Sequence, residues 1–234
     1  MASIEDKEYQ FLKKMDDSSY PELNADMMVL LTNESERGAI LIGTGKIEEH
    51  LEKLVMTLLP SKTKSYTSRL LNYPGALSSF AAKIELCYAF RIINQRVYMS
   101  LNAIRKVRNI AAHSSETFSL QDKEDELTAI YDFEVGMSYI IHELAYKNLI
   151  QWKKIQVRKS LEEHGREDLF EKEWKKKFED RDPLQNEFII KQLRMWKLVY
   201  GLSLMILKIE ELCDRYKELL KSHDTWLDII QEQS

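Results

Sequence analysis

Glycine and proline are scarce: 7 Gly and 4 Pro in 234 residues give too little turn-forming material for a sandwich or barrel of many short strands. With 44% hydrophobic and 31% charged residues, the composition reads as all-α. Cysteine is scarcer still. Cys87 and Cys213 sit inside apolar helical patterns with no CxxC and no clustered His, which excludes a disulfide framework or zinc site and suits buried thiols in a reducing cytoplasm. Long hydrophobic runs are missing too. The most apolar stretch, 198–209, falls short of the roughly 20 residues of a membrane span, and the first eight residues contain no apolar signal-peptide core. The expectation is a soluble cytoplasmic protein with no membrane contact. There is no excess of basic charge: 34 basic and 38 acidic residues leave a net charge of −4. A general DNA-coating protein is excluded, and any nucleic-acid contact must come from a local patch.

Along the chain, residues 1–26 carry seven acids against three Lys and read as an acidic lead-in. Apolar residues recur at helical intervals over 27–59, and Pro60 ends that run. Residues 61–72 are polar and aperiodic and read as a long connecting loop. Pro74-Gly75 mark a turn, and Ser78-Ser79 are plausible caps for the next helix. Helical patterns over 80–93 and 97–112 make a hairpin that breaks at His113-Ser114-Ser115. One helix is expected over 127–160, a short charged one over 168–178, and the longest over 184–220, followed by a short segment with Trp226 and Ile229. The organisation is therefore a lead-in (1–26), a helical core (27–125) and further helices (126–234) that complete the bundle or form a dimer or partner surface.

Several apparent motifs fail on their residues. Gly43-Thr44-Gly45-Lys46 resembles the start of a phosphate loop, but it lies in a helical pattern without a preceding strand and has Ile47 where Ser or Thr is required. Ser61-Lys62-Thr63-Lys64 fits S-x-x-K, without the partner motifs of that enzyme class. His50, His142, His164 and His223 are scattered singly, so neither a metal nor a cofactor is expected.

The segment 102–113 is different. At about 100° per residue, Asn102, Arg105, Asn109 and His113 fall within a sector about 80° wide, a polar ladder along one helix face. Arg108 projects into the opposite, apolar arc, between Ile104 and Leu101. An arginine buried there needs an acid such as Glu34 or Glu85, because an unpaired buried charge is costly. The chemistry of these groups suggests another use. Histidine exchanges protons near neutral pH, and the arginine fork grips phosphate without losing its charge. His113 as general base on a ribose 2'-OH, with Arg108 neutralising the attacked phosphate, is sufficient to cleave RNA without a metal. A purely structural use competes with it, in which Arg108 pairs with an acid and His113 ends a helix where its cation suits the dipole.

Arg108-Asn109-Ile110-Ala111-Ala112-His113 resembles the Arg-x4–6-His signature of the HEPN superfamily, helical bundles that include metal-independent ribonucleases of toxin–antitoxin and phage-defence systems. A larger stretch resembles the mannitol operon repressor (MltR-like) family. It comprises Asn33-Glu34-Ser35-Glu36-Arg37-Gly38, the run from Gly75 to Ala89 (GALSSFAAKIELCYA), and Ile104-Arg105-Lys106-Val107-Arg108-Asn109 through His113. The resemblance covers about residues 27–125. It implies an all-α HEPN/MltR-like bundle with additional C-terminal helices, with Arg108, Asn109 and His113 as catalytic residues. Glu34 would orient Arg108, with Arg37 and Arg105 in support, and the site would be assembled from two copies in a homodimer. It also implies an alternative, a non-catalytic transcriptional regulator acting through a protein partner. No helix-turn-helix is found, so sequence-specific DNA binding is not expected.

The C-terminal half adds two basic segments with aromatics, 152–159 and 174–178, a mix that suits single-stranded nucleic acid. Nine basic residues against six acidic ones over 153–177 favour an ordinary solvated helix with i, i+4 pairs. The apolar surplus of 198–209 suggests a bundle-closing helix or a dimer seam, and Trp196, Tyr200 and Met205 read as core.

Overall fold

A computed structural model describes residues 33–59, 63–113, 118–179 and 186–232, with backbone alone for 177, 179 and 222–232. The 1–26 lead-in lies outside them. The described residues form eight α-helices and no strand.

Helix α1 (Glu36–Leu58) starts at Ser35, whose Oγ accepts from Gly38 N at 3.0 Å, and carries Glu36 in its first turn, both features that favour a helix start. The Gly43-Thr44-Gly45-Lys46 run lies within α1, and Gly43 and Thr44 are buried. Helix α2 (Lys64–Leu71) falls where a loop was expected. No Gly or Pro interrupts 64–71, the Thr67 hydroxyl bonds back to Thr63 O and Lys64 O, and Leu71 anchors the helix in the core. A polar stretch forms a surface helix when one end is pinned.

Helix α3 (Phe80–Ala89) is capped by Ser79, whose Oγ accepts from Ala82 N at 3.1 Å. It ends before the expected 93, in a reversal made by Ile92 N to Cys87 O at 2.8 Å and Arg91 N to Tyr88 O at 2.9 Å, with Arg91 left-handed at φ 57°. Helix α4 (Gln95–His113) follows, starting where Asn94 Oδ1 accepts from Val97 N at 3.0 Å.

The single helix expected over 127–160 is two, α5 (Glu124–Tyr131) and α6 (Met137–Glu163). Phe133 is fully buried between them, and Gly136 turns the chain at φ 81°, a conformation with little steric cost only for glycine. Helix α7 (Phe170–Trp174) runs into a wide turn, Lys175–Glu179. Helix α8 (Glu187–Glu232) is 46 residues long; it continues through the position of the separate last segment, whose side chains lie outside the described residues.

Helix α8 packs on α1 and α6, and α4 packs on α1, α3 and α5. One apolar cluster runs from Ala39 to Cys213 and draws on both the 27–125 and 126–234 segments. Residues 198–207 are buried on every side of α8, as a helix apolar all round should be. The stretch proposed as a dimer seam is thus spent inside the chain. Glycine lets the helices approach. A Cβ on Gly43 would sit 2.4 Å from Leu202 Cδ1, and one on Gly201 2.7 Å from the Tyr131 ring. Polar ties also cross the bundle: Lys83 of α3 reaches Glu48 and Glu52 of α1 at 3.2 and 2.7 Å, and His50 of α1 stands 3.1 Å from Glu210 of α8. Trp196, Tyr200 and Met205 are core, and both cysteines are buried and free. Burial pushes the Cys87 thiol up to about 12. Among the described residues, no helix is long and apolar enough to cross a membrane.

Candidate functional site at the end of α4

The buried face of α4 comprises Val97, Ser100, Leu101, Ile104, Val107 and Ala111. Ser100 is accommodated because its Oγ donates to Ile130 O at 2.6 Å, which removes the penalty of an unpaired buried hydroxyl. This face leaves the polar ladder on the flank. Asn102 Nδ2 donates to Tyr98 O at 3.2 Å, and Arg105 Nε donates to Asn102 Oδ1 at 3.2 Å. Arg105, Asn102 and Asn109 are half-buried; Arg108 and His113 are exposed.

This corrects the expectation of a buried Arg108. In the last two turns the buried stripe narrows to Val107 and Ala111, and a long arginine beside it can carry its head group into water. Among the described residues the polar contact of Arg108 is to Asn109 Oδ1, 3.2 Å from its Nη1. Neither proposed acid pairs with it. Glu85 accepts from Tyr98 OH at 2.8 Å. Glu34 is exposed, and its carboxylate folds back over the first turn of α1, where a Cβ on Gly38 would lie 2.5 Å from Glu34 Oε2.

Glu36 Oε2, in the first turn of α1, accepts from Leu120 N at 2.7 Å, which ties the start of α1 to the segment that follows α4. Arg37 is half-buried and engaged in a polar contact. Nearby, Lys106 Nζ lies 3.0 Å from Glu126 Oε1. The Lys106 hydrogen bond holds the Glu126 carboxyl below its usual pKa. The role of Glu36 was missed by sequence reasoning, since nothing in its spacing points to Leu120.

The end of α4 carries a guanidinium and an imidazole five residues apart, about 140° from each other around the helix axis, both exposed, with the Asn109 amide oxygen accepting from the guanidinium. Among the described residues no group of three or more His, Cys, Asp or Glu is placed to hold a metal ion.

The basic segments of the C-terminal half serve another purpose. Lys153 Nζ lies over the rings of Trp152 at 4.8 Å and Phe188 at 4.6 Å, Lys154 Nζ over Trp174 at 5.7 Å, and Arg158 over Phe170 at 4.6 Å. These cations clamp α7 and the start of α8 onto α6 by cation–π attraction. The rings they cover are not a free stacking platform, and most of the other charged residues of this stretch are exposed, as the charge count favoured.

The chain matches no family model, no curated protein and no solved structure.

Proposed function

We propose that this protein is a metal-independent endoribonuclease of HEPN type, working as a homodimer in which two copies of the α4 end face each other. The observation that carries the reading is the exposure of Arg108 and His113, five residues apart on α4, with no carboxylate paired to Arg108 among the described residues. A structural arginine would be buried against an acid; this one is left to an external anion.

In the proposed reaction His113 takes the proton of a ribose 2'-OH as that oxygen attacks the adjacent phosphorus. The P–O5' bond breaks, the 5'-oxygen takes up a proton from an imidazolium, and a 2',3'-cyclic phosphate remains. Arg108 neutralises charge on the non-bridging oxygens, held in place by Asn109. Glu34, Arg37 and Arg105 support the site, and RNA is the partner. A toxin or phage-defence role, with a protein antitoxin, follows from the same reading, as does a cytoplasmic setting.

The test is cleavage of single-stranded RNA by the purified chain in EDTA, with end-group analysis. The expected result is a 2',3'-cyclic phosphate, intact DNA, and loss of cleavage in His113→Ala. Cleavage that needs added divalent metal, or equal cleavage of DNA, would overturn the mechanism.

A second reading, a non-catalytic regulator that binds another protein, draws support from a different place. Phe90 is 71% and Met99 58% exposed at the α3–α4 edge, apolar area of the kind that marks a protein contact. Retention of wild-type behaviour in cells by His113→Ala would favour it.

A further inference from the structure

We propose a second binding site, at the opposite end of α4 from His113, that takes a small organic dianion with an apolar body. It is a cleft of about 620 Å³ between the α3–α4 turn and α8, within the range of small-molecule sites. Val97, which lines it, stands 16 positions before His113 in the same helix, about 24 Å away at helical rise. The proposal is therefore independent of the nuclease reading.

Three cations line the cleft, Arg91, Lys208 and Arg215, and no carboxylate does. Glu134 and Glu211 hold Lys208 at 3.2 and 3.1 Å, Asp214 beside Arg215 holds Lys217 at 2.9 Å, and Asp132 holds Arg96 at 2.7 Å. Burial opposes the charge on Lys208, but Glu134 and Glu211 outweigh it and keep the ammonium protonated. Arg91 and Arg215 are both exposed and form no ion pair among the described residues. Two guanidiniums, each able to bind a carboxylate or phosphate through two parallel hydrogen bonds, thus share one concavity without an internal counter-ion.

The walls set the rest of the ligand. Ile92, Val97 and Leu212 supply apolar surface, and Tyr88 and Tyr216 supply rings with hydroxyls. Tyr88 is stacked on Tyr98 with centroids 4.1 Å apart, which braces that wall. An inorganic ion would use the cations and leave this surface wet; an organic anion uses both.

Arg91 gives an independent pointer. It occupies the left-handed position of the reversal that ends α3, at φ 57°, where glycine is the favoured residue. A side chain kept at a strained position is a reason to look for what that side chain binds.

The experiment is calorimetry on the full chain with three probes: phenyl phosphate, phthalate and inorganic phosphate. At least one organic dianion should bind, roughly ten-fold or more tighter than inorganic phosphate, and the tighter of the two identifies the head group as phosphate or carboxylate pair. Arg215→Ala and Arg91→Gly should each weaken that binding roughly ten-fold, as expected for loss of a charged hydrogen-bonding partner. Arg91→Gly should do so while holding or raising the melting temperature, and that combination separates a ligand contact from damage to the fold. His113→Ala should bind like wild type. The site is overturned if neither organic dianion binds, if inorganic phosphate binds as tightly, if both arginine variants bind unchanged, or if His113→Ala abolishes binding.

Discussion

Lys83 lies inside the bundle, 2% exposed, between Glu48 and Glu52. Arg108, on the neighbouring helix α4, stands in solvent with the Asn109 amide as its partner. The first cation is built into the joint between α1 and α3; the second reaches no carboxylate among the described residues. A charge that the fold must satisfy is unavailable for other work, whereas a charge that the fold does not use is free to meet a ligand. The difference is measurable, because removing each residue should affect stability and activity in opposite proportions.

The largest effect is expected at Lys83. Lys83→Met strands two carboxylates beside the core and should cost about 3 kcal/mol, the low end for a broken buried pair because both acids keep access to water. Thermal melting checks it, with a drop of roughly 6–12 °C for a chain of this size. A loss below about 1 kcal/mol would place Lys83 with ordinary surface ion pairs.

Next come the glycines of α1. Gly43→Ala drives a methyl into the fully buried Leu202, whereas a methyl on Gly45 meets nothing within 4 Å. Overpacking should cost about 1–3 kcal/mol at Gly43, partly offset by alanine's helix preference, while Gly45→Ala should gain up to about 1 kcal/mol. Denaturant midpoints that move in opposite directions meet this expectation, and parallel shifts contradict it.

Arg108→Ala and His113→Ala should each stay within about 0.5 kcal/mol of wild type in stability, and both should lose RNA cleavage. A large stability loss at Arg108 would return it to the structural class that Lys83 occupies.

The smallest effect belongs to Lys106. The Lys106 hydrogen bond depresses the Glu126 carboxyl, so this pair stabilises above the unfolded carboxylate pKa and the contribution is lost as pH falls through the folded one. Lys106 is exposed and Glu126 half-buried, so water screens the pair from one side and Lys106→Ala should cost less than about 1 kcal/mol at neutral pH. An NMR titration should find the Glu126 carboxyl returned toward its ordinary range.

Helix positions were legible in the sequence wherever apolar periodicity ran long, as in α1, α4 and α8. Breaks were less so. The division between α5 and α6 depends on Phe133 turning into the core and on Gly136 taking a left-handed φ, and neither interrupts the periodic pattern. Helix α2 was hidden because its residues are polar and a single leucine anchors it. At the candidate site, the ladder Asn102, Arg105, Asn109, His113 followed from helical geometry, since it lies on one element. The position of Arg108 did not, because angular position on a helix says nothing about where the covering helices stop. The cleft was invisible for a related reason: Arg91 and Arg215 belong to distant elements, and only tertiary packing sets them together.

Lys153 joins α6 to α8 by lying over Trp152 and Phe188, and its burial there lowers its pKa. A contact of this kind responds to covalent chemistry on one nitrogen. Acetylation removes the charge that both rings attract and releases α8 from α6 at that point, while methylation keeps the charge and leaves the junction closed.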